Sequence, residues 1–268
     1  MRITRRQFLG FMGAFGLASC ARVEKYTRRV GLGGDEAFSF AAVGDTHLLD
    51  ARRTGIVIRA MAQINADTRV QFTVFLGDIT SSGELAEFRL AKACFDRLTK
   101  PYYTLPGNHD VFMHSRNIYA NYEQTFGQRQ WVQEYAWVLL GLDSTDRDKS
   151  DVAIQPDRIE WLRKHLKKIG PKRPIALLCH HPFNPSCKQY RVTNADEVLA
   201  LFSGHNLKLV ASGHYHGNQV ETQNGILFTT TACCSSSRPN FDNSDAKGYR
   251  LFHIKGDQIE TEFVQVPA

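Results

Sequence analysis

The 268-residue chain is predicted to fold in the α/β class, and three observations carry that prediction. Short apolar runs alternate with amphipathic helical stretches between residues 38 and 216. Five of those runs stop directly before a cluster of His, Asp or Asn. After His216 the alternation gives way to strands alone. In order, Phe38–Val43 reads as a buried strand, and Ile56, Val57, Ala60, Met61 and Ile64 then share one helical face. Phe72–Leu76 is a second strand, Glu84–Leu98 a helix and Tyr102–Leu105 a third strand. Ile159, Leu162, Leu166 and Ile169 share another helical face, before the strand Ile175–Cys179, the helix Asn194–Phe202 and the strand Leu207–Ala211. Gln219–Glu221, Ile226–Thr231, Tyr249–Ile254 and Ile259–Val266 complete the pattern as strands.

The five clusters are Asp45-Thr46-His47, Gly77-Asp78, Gly107-Asn108-His109-Asp110, His180-His181 and Gly213-His214-Tyr215-His216. Each lies at a strand C-terminus, the edge of an open α/β sheet where loops converge and ligands bind. Their side chains offer imidazole nitrogens and carboxylate or amide oxygens and no thiolate, a donor set suited to Zn, Mn or Fe. The i, i+2 pairs Asp45/His47 and His214/His216 are expected in extended loops, where alternate side chains face one way.

In order and spelling the five clusters resemble the calcineurin-like metallophosphoesterases, whose pattern is D-x-H, G-D, G-N-H-D/E, H and G-H-x-H. The resemblance covers about Phe40 to His216, and Gly83 with Glu84–Leu98 is similar to the cyclic-nucleotide and glycerophosphodiester branch. It implies a four-layer α/β/β/α sandwich of two mixed sheets, the strands after His216 completing the second sheet. It also implies two divalent metal ions, one held by Asp45, His47 and His216, the other by Asn108, His180 and His214, with Asp78 bridging. A carboxylate suits the bridge, because its two oxygens span cations roughly 3.5–4 Å apart and its charge offsets their repulsion. Water held there drops in pKa from about 15.7 toward about 7, giving a hydroxide nucleophile at neutral pH. The same resemblance makes His109 the proton donor to the leaving oxygen and Asp110 the carboxylate that orients its ring. Ser81 stands where purple acid phosphatases carry a ferric-binding Tyr, so no ferric-tyrosinate centre is expected.

The amino terminus carries a second signal. Thr4-Arg5-Arg6-Gln7-Phe8-Leu9 resembles a twin-arginine export motif, and the eleven-residue apolar stretch Phe8–Ala18 falls short of the about 20 residues that a bilayer span needs. Leu17-Ala18-Ser19-Cys20 is similar to a bacterial lipobox, with Cys20 as the lipidated first residue of the mature chain. An ordinary cleaved signal is the alternative. The expected organisation is a signal peptide over 1–19, a lipid-anchored basic tether over 20–37 and a metallophosphoesterase domain over 38–268. The location expected is the bacterial cell envelope, periplasmic and held to a membrane through the N-terminal lipid.

Residues 1 to 30 hold seven Lys and Arg and one Glu, a net +6 that equals the formal charge of the whole chain. The remainder is neutral, so binding to a nucleic-acid polymer is not expected. Besides Cys20 there are five cysteines, an odd number in a chain long enough to need no disulfide framework. His114, His165, His205 and His253 read as structural or surface residues. The loops Pro182–Arg191 and Ser235–Lys247 are expected to wall the site, with His181, Arg191 and Arg238 as candidate contacts to a phosphoester substrate. Phosphodiesters or nucleotides lead the expectation; a phosphomonoesterase and a catalytically idle metal-bearing lipoprotein are the alternatives. The last has no use for His109. Nothing in the sequence sets an oligomeric state.

Overall fold

A computed structural model describes residues 37–267 of the chain. The signal peptide expected over 1–19, Cys20 and the tether up to residue 36 lie outside the described residues. Among the described residues, eleven strands form two mixed sheets. The first contains β1 (Ala37–Val43), β2 (Val70–Phe75), β3 (Tyr102–Thr104), β10 (Gly248–Lys255) and β11 (Gln258–Gln265), in the order β11-β10-β1-β2-β3. The second contains β4 (Trp131–Glu134), β5 (Val138–Leu142), β6 (Pro174–Cys179), β7 (Asn206–Ser212), β8 (Gln219–Gln223) and β9 (Ile226–Thr230), in the order β4-β5-β6-β7-β9-β8. Strands β1, β2 and β3 run parallel, as do β5, β6, β7 and β9, while antiparallel partners flank each set.

Strand alternation sorts the side chains into layers. Phe38, Phe40 and Ala42 of β1, Phe72 and Val74 of β2, and Ala176 and Leu178 of β6 share one core with Leu209, Ala211 and Trp137; that core lies between the sheets. Ala41 and Val43 point the other way, into a core built with α1 (Gly55–Ala66) and α2 (Leu85–Phe95). Ile175, Leu177 and Cys179 likewise turn from the sheet interface to α4 (Pro156–Leu166) and α5 (Ala195–Ala200). The result is α/β/β/α. Stacked rings fill the middle: Phe40 lies 5.2 Å from Phe72 and 4.8 Å from Phe252, centroid to centroid. Burial of each such ring is worth about 1.5–3 kcal/mol. Helix α4 opens on Pro156, whose missing N–H costs nothing in a first turn, and ends with Arg163, Lys164 and His165 against the carbonyl end of its dipole.

The sandwich matches the expectation, with one difference in its assembly. Only β8 and β9 of the late strands join the second sheet; β10 pairs antiparallel with β1 and carries β11 with it into the first. The physical reason is the inner face of β10: Phe252 and Ile254 belong to the core around Phe40. The short helix α3 (Ala120–Phe126) and strands β4 and β5 complete the fold. No ligand cluster follows β5, whose apolar run runs into Asp143-Ser144-Thr145 instead.

Candidate metal centre

The loops after β1 and β2 continue the pairing of their strands. Asp45 N–H donates to Gly77 O at 3.1 Å, His47 N–H to Asp78 O at 3.0 Å and Leu48 N–H to Ile79 O at 3.0 Å. On the other sheet Gly213 N–H donates to His180 O at 3.1 Å. The two edges are joined by the Asp45 carboxylate, which accepts from His214 N–H at 3.1 Å. The i, i+2 pairs are not extended as expected. Asp45, His47, Asp78, His214 and His216 all have φ between 41° and 63°, the left-handed region that costs a non-glycine residue free energy and that functional sites retain. Left-handed residues at i and i+2 turn both side chains inward. Gly107 permits a close approach at the centre: a Cβ there would lie 2.2 Å from Asp78 Oδ1.

Backbone carbonyls fix the imidazoles. His180 Nδ1 faces Leu76 O at 2.8 Å, His214 Nε2 faces Ser150 O at 2.8 Å and His216 Nδ1 faces Pro239 O at 2.9 Å. A carbonyl only accepts, so each of these nitrogens carries an N–H and the opposite nitrogen is the one turned to the site, the atom that would give up its proton to ligate a metal. The freed His216 Nε2 lies 3.2 Å from His47 Nε2 and 3.4 Å from Asp45 Oδ1. His180 Nε2 lies 3.2 Å from Asn108 Oδ1 and 3.3 Å from Asp78 Oδ1. The other oxygen of Asp78, Oδ2, is 3.5 Å from His47 Nε2. One carboxylate thus turns one oxygen to each group.

Asp45, His47, Asp78 and His216 bring their donor atoms within 4.8 Å of one another, as do His180, His181 and His214. Hydrogen bonding separates His181 from its neighbours. Its Nε2 donates to Lys149 O at 3.2 Å, and its Nδ1 accepts from Ser144 Oγ at 2.9 Å while that oxygen takes His181 N–H at 3.1 Å. Both nitrogens are used, so the Asn108 amide oxygen is the better third donor beside His180 and His214. Fully buried, His181 does not face substrate; it packs behind His180 and His214, with centroids 4.9 and 4.3 Å away.

The electrostatics fit cations. Asp45 and Asp78 are buried, and burial opposes their ionisation, yet His216 holds Asp45 low and His180 with His47 holds Asp78 well below the usual carboxylate range. Burial also disfavours charge on the rings, but the Asp78 carboxylate raises His180 to about 9 and Asp45 raises His216 to about 11. Burial prevails at His47 and His214, which fall to about 3 and about 4. Buried carboxylates need compensating positive charge; protonated rings supply it here, and divalent cations held by the same atoms would supply more.

His109 turns an edge to His47, 4.8 Å between centroids, and its Nδ1 donates to Ser81 O at 2.9 Å. Asp110 does not orient it. That carboxylate is fully buried and accepts from the N–H groups of Ile79, Thr80 and Gly107 and from Thr80 Oγ1. Burial and the nearby Asp78 raise its pKa to about 6. Its work is to hold the loop under the site. The two loops expected to wall the site meet beside the candidate ligands: Phe241 stacks on His216 at 5.1 Å and on Tyr190 at 4.9 Å. Both rings lie in the loops expected to wall the site, and Phe241 is 40% exposed there; the stacking of Tyr190 on it was not foreseen. Arg191 lines a different cavity of about 370 Å³ with Phe183, Leu199 and Phe228, away from every candidate ligand. Arg238 precedes the Pro239 carbonyl that holds His216, and its guanidinium makes no hydrogen bond or ion pair with the described residues.

The profile of the family described as calcineurin-like phosphoesterase matches residues 38–218. A protein named "Probable glycerophosphodiester phosphodiesterase" from Arcobacter nitrofigilis is 28% identical over 176 residues, 63% of this chain and 64% of that protein. The match therefore spans just under two thirds of that relative's length. The 3′,5′-cyclic-nucleotide phosphodiesterase of a Nostoc species is 24% identical over 252 residues, 85% of this chain and 91% of the relative. Among solved structures, purple acid phosphatase from yellow lupin seeds aligns with a TM-score of 0.67 at 13% identity, over 85% of this chain and 52% of that one. GAP50, described as the anchor in the inner membrane complex of Plasmodium, aligns at 0.62 and 16% identity, over 85% and 84%. At such identities these two share the fold, and the chemistry has to be argued from the site.

Proposed function

We propose that this chain, which belongs to the calcineurin-like phosphoesterase family, cleaves phosphodiesters with two divalent cations held about Asp78. It is a phosphoester hydrolase. The observation that carries the finer reading is the division of the Asp78 carboxylate between two donor groups, 3.3 Å from His180 Nε2 and 3.5 Å from His47 Nε2. Asp45, His47 and His216 would hold one cation, and Asn108, His180 and His214 the other. Cations bound there, Mn, Zn or Fe by donor type, would supply Lewis acidity and an activated water.

The chain's own residues do the rest. His109, with Nδ1–H fixed on Ser81 O, passes its second proton from Nε2 to the leaving oxygen and ends as the tautomer that the carbonyl favours. Arg238 offers a guanidinium fork to a phosphoryl oxygen. The phosphodiesterase names of the relatives favour diesters over monoesters. The leader motifs add export by the twin-arginine route and attachment through Cys20, which would place the activity in the cell envelope.

The test is hydrolysis of bis(p-nitrophenyl) phosphate against p-nitrophenyl phosphate by metal-reconstituted protein, with Asp78→Asn as control. Preference for the diester is expected. Preference for the monoester would make it a phosphatase, and cleavage of neither above the control would leave a metal-bearing binding protein.

A further inference from the structure

Asp110 faces away from His109, so the catalytic ring needs another anchor, and the loop 79–82 provides one. Each of its four successive N–H groups meets a carboxylate, the Ser81 N–H being shared with the Leu48 carbonyl at 3.1 Å. Asp110 accepts from Ile79 and Thr80 at 3.1 and 2.8 Å. Glu87, buried in the first turn of α2, accepts from Ser81 and Ser82 N–H through Oε2 at 3.2 and 2.9 Å and from Ser82 Oγ through Oε1 at 2.8 Å. The Ser81 carbonyl and the Ser82 N–H belong to one peptide group. A single planar amide is therefore held by Glu87 on its N–H side and by the His109 Nδ1–H, at 2.9 Å, on its carbonyl side.

We propose that Glu87 is the positioning residue for His109, acting through the peptide group between Ser81 and Ser82. Peptide planarity makes the coupling rigid: the N–H and C=O of one amide point in opposite directions, so fixing the first aims the second. A carboxylate on the N–H also polarises the amide and strengthens the bond its oxygen accepts, because hydrogen bonds in a chain reinforce one another. Additional contacts keep the loop from relaxing. Ser81 Oγ donates to His47 O at 2.8 Å, and Asn121 donates to Gly83 O at 2.9 Å. Gly83 has φ +73°, and a Cβ there would meet the Val111 carbonyl at 2.6 Å. Glu87 thereby does for His109 what a carboxylate bonded directly to a catalytic imidazole does elsewhere, fixing tautomer and aim, with a peptide group interposed.

The kinetic side of this inference rests on the phosphodiesterase reading; its spectroscopic side does not. The spectroscopic arm measures ring ¹⁵N shifts and Nδ1–H exchange with water, with His109→Gln used to assign the His109 signal. The native ring is expected as the Nδ1–H tautomer. Glu87→Ala is expected to mix the tautomers and speed that exchange by about tenfold or more. Glu87→Gln, which keeps one oxygen for the Ser82 N–H, should restore most of the native signal and serves if the alanine variant folds poorly. In the kinetic arm, Glu87→Ala should lower kcat for an alkyl diester by about tenfold or more, a part of the about 10²–10⁴ that general-acid help gives. KM should hold, and a p-nitrophenyl diester, whose leaving group needs no proton, should change little. An unchanged Nδ1–H tautomer and exchange rate in Glu87→Ala would overturn the proposal even if native protein cleaves neither ester. So would equal losses on both esters, the mark of a general structural defect.

Discussion

His109 and Asp78 do different jobs with adjoining atoms, and substitution separates them. His109 N–H donates to Asp78 Oδ1 at 2.9 Å, a backbone contact that survives His109→Ala, so that variant should keep its metals and lose about 10²–10⁴ in kcat. Metal analysis beside an assay on an alkyl diester, whose leaving oxygen needs the proton, checks this; unchanged turnover of that ester would remove His109 from the chemistry. That the five clusters would meet could be read from the sequence because each is short and directly follows its strand. Their anchors could not. The carbonyls of Leu76, Ser150 and Pro239 that fix His180, His214 and His216 come from 104, 64 and 23 residues away, and a backbone acceptor leaves no mark in residue type. The expected pairing of Asp110 with His109 failed for a related reason: adjacency in sequence says little about aim in a turn where Asp110 is drawn under the loop by four donors.

Elements deliver these residues through tight approaches. A methyl group at Gly107 would fall 2.2 Å from Asp78 Oδ1 and 2.8 Å from His180 Cε1, so Gly107→Ala should weaken metal binding more than it lowers the melting temperature. Titration calorimetry and thermal melts of the same preparation test it; native affinity in the variant would contradict the geometry. At the sheet interface Phe40→Ala removes a fully buried ring stacked on Phe72 and Phe252 and should cost about 3–5 kcal/mol in chemical denaturation. The strands that bear ligands were legible as apolar runs. The placement of β10 and β11 in the first sheet was not, because a run such as Tyr249–Ile254 fits either sheet until Phe252 finds Phe40.

Across the whole molecule, charge and pH govern how the centre fills. His180 and His216 are raised to about 9 and about 11 by Asp78 and Asp45. Their protons stabilise the cation-free fold fully below about 6.5, and that support is lost as pH rises through about 9 and then about 11. Asp45 and Asp78 are lowered, so their contribution is present above the ordinary carboxylate value and lost on acidification. Chelated protein should therefore lose stability as pH rises from about 6.5 through about 9 and on toward about 11, while apparent metal affinity rises from pH 6 to 9 by up to about tenfold per unit for each proton displaced. Thermal melts in chelator across this range check the first part, and a flat profile would contradict it. For the proposed leader, Cys20→Ser should release the chain from membranes into the soluble periplasmic fraction, read by fractionation.

The central claim is that Asp78 joins two cation sites. Metal content after reconstitution and dialysis, measured with activity for native protein and Asp78→Asn, tests it most directly. Two equivalents per chain with diester cleavage are predicted for the native protein, and loss of at least one equivalent together with the activity for the variant. Two equivalents and undiminished cleavage in Asp78→Asn would contradict the account.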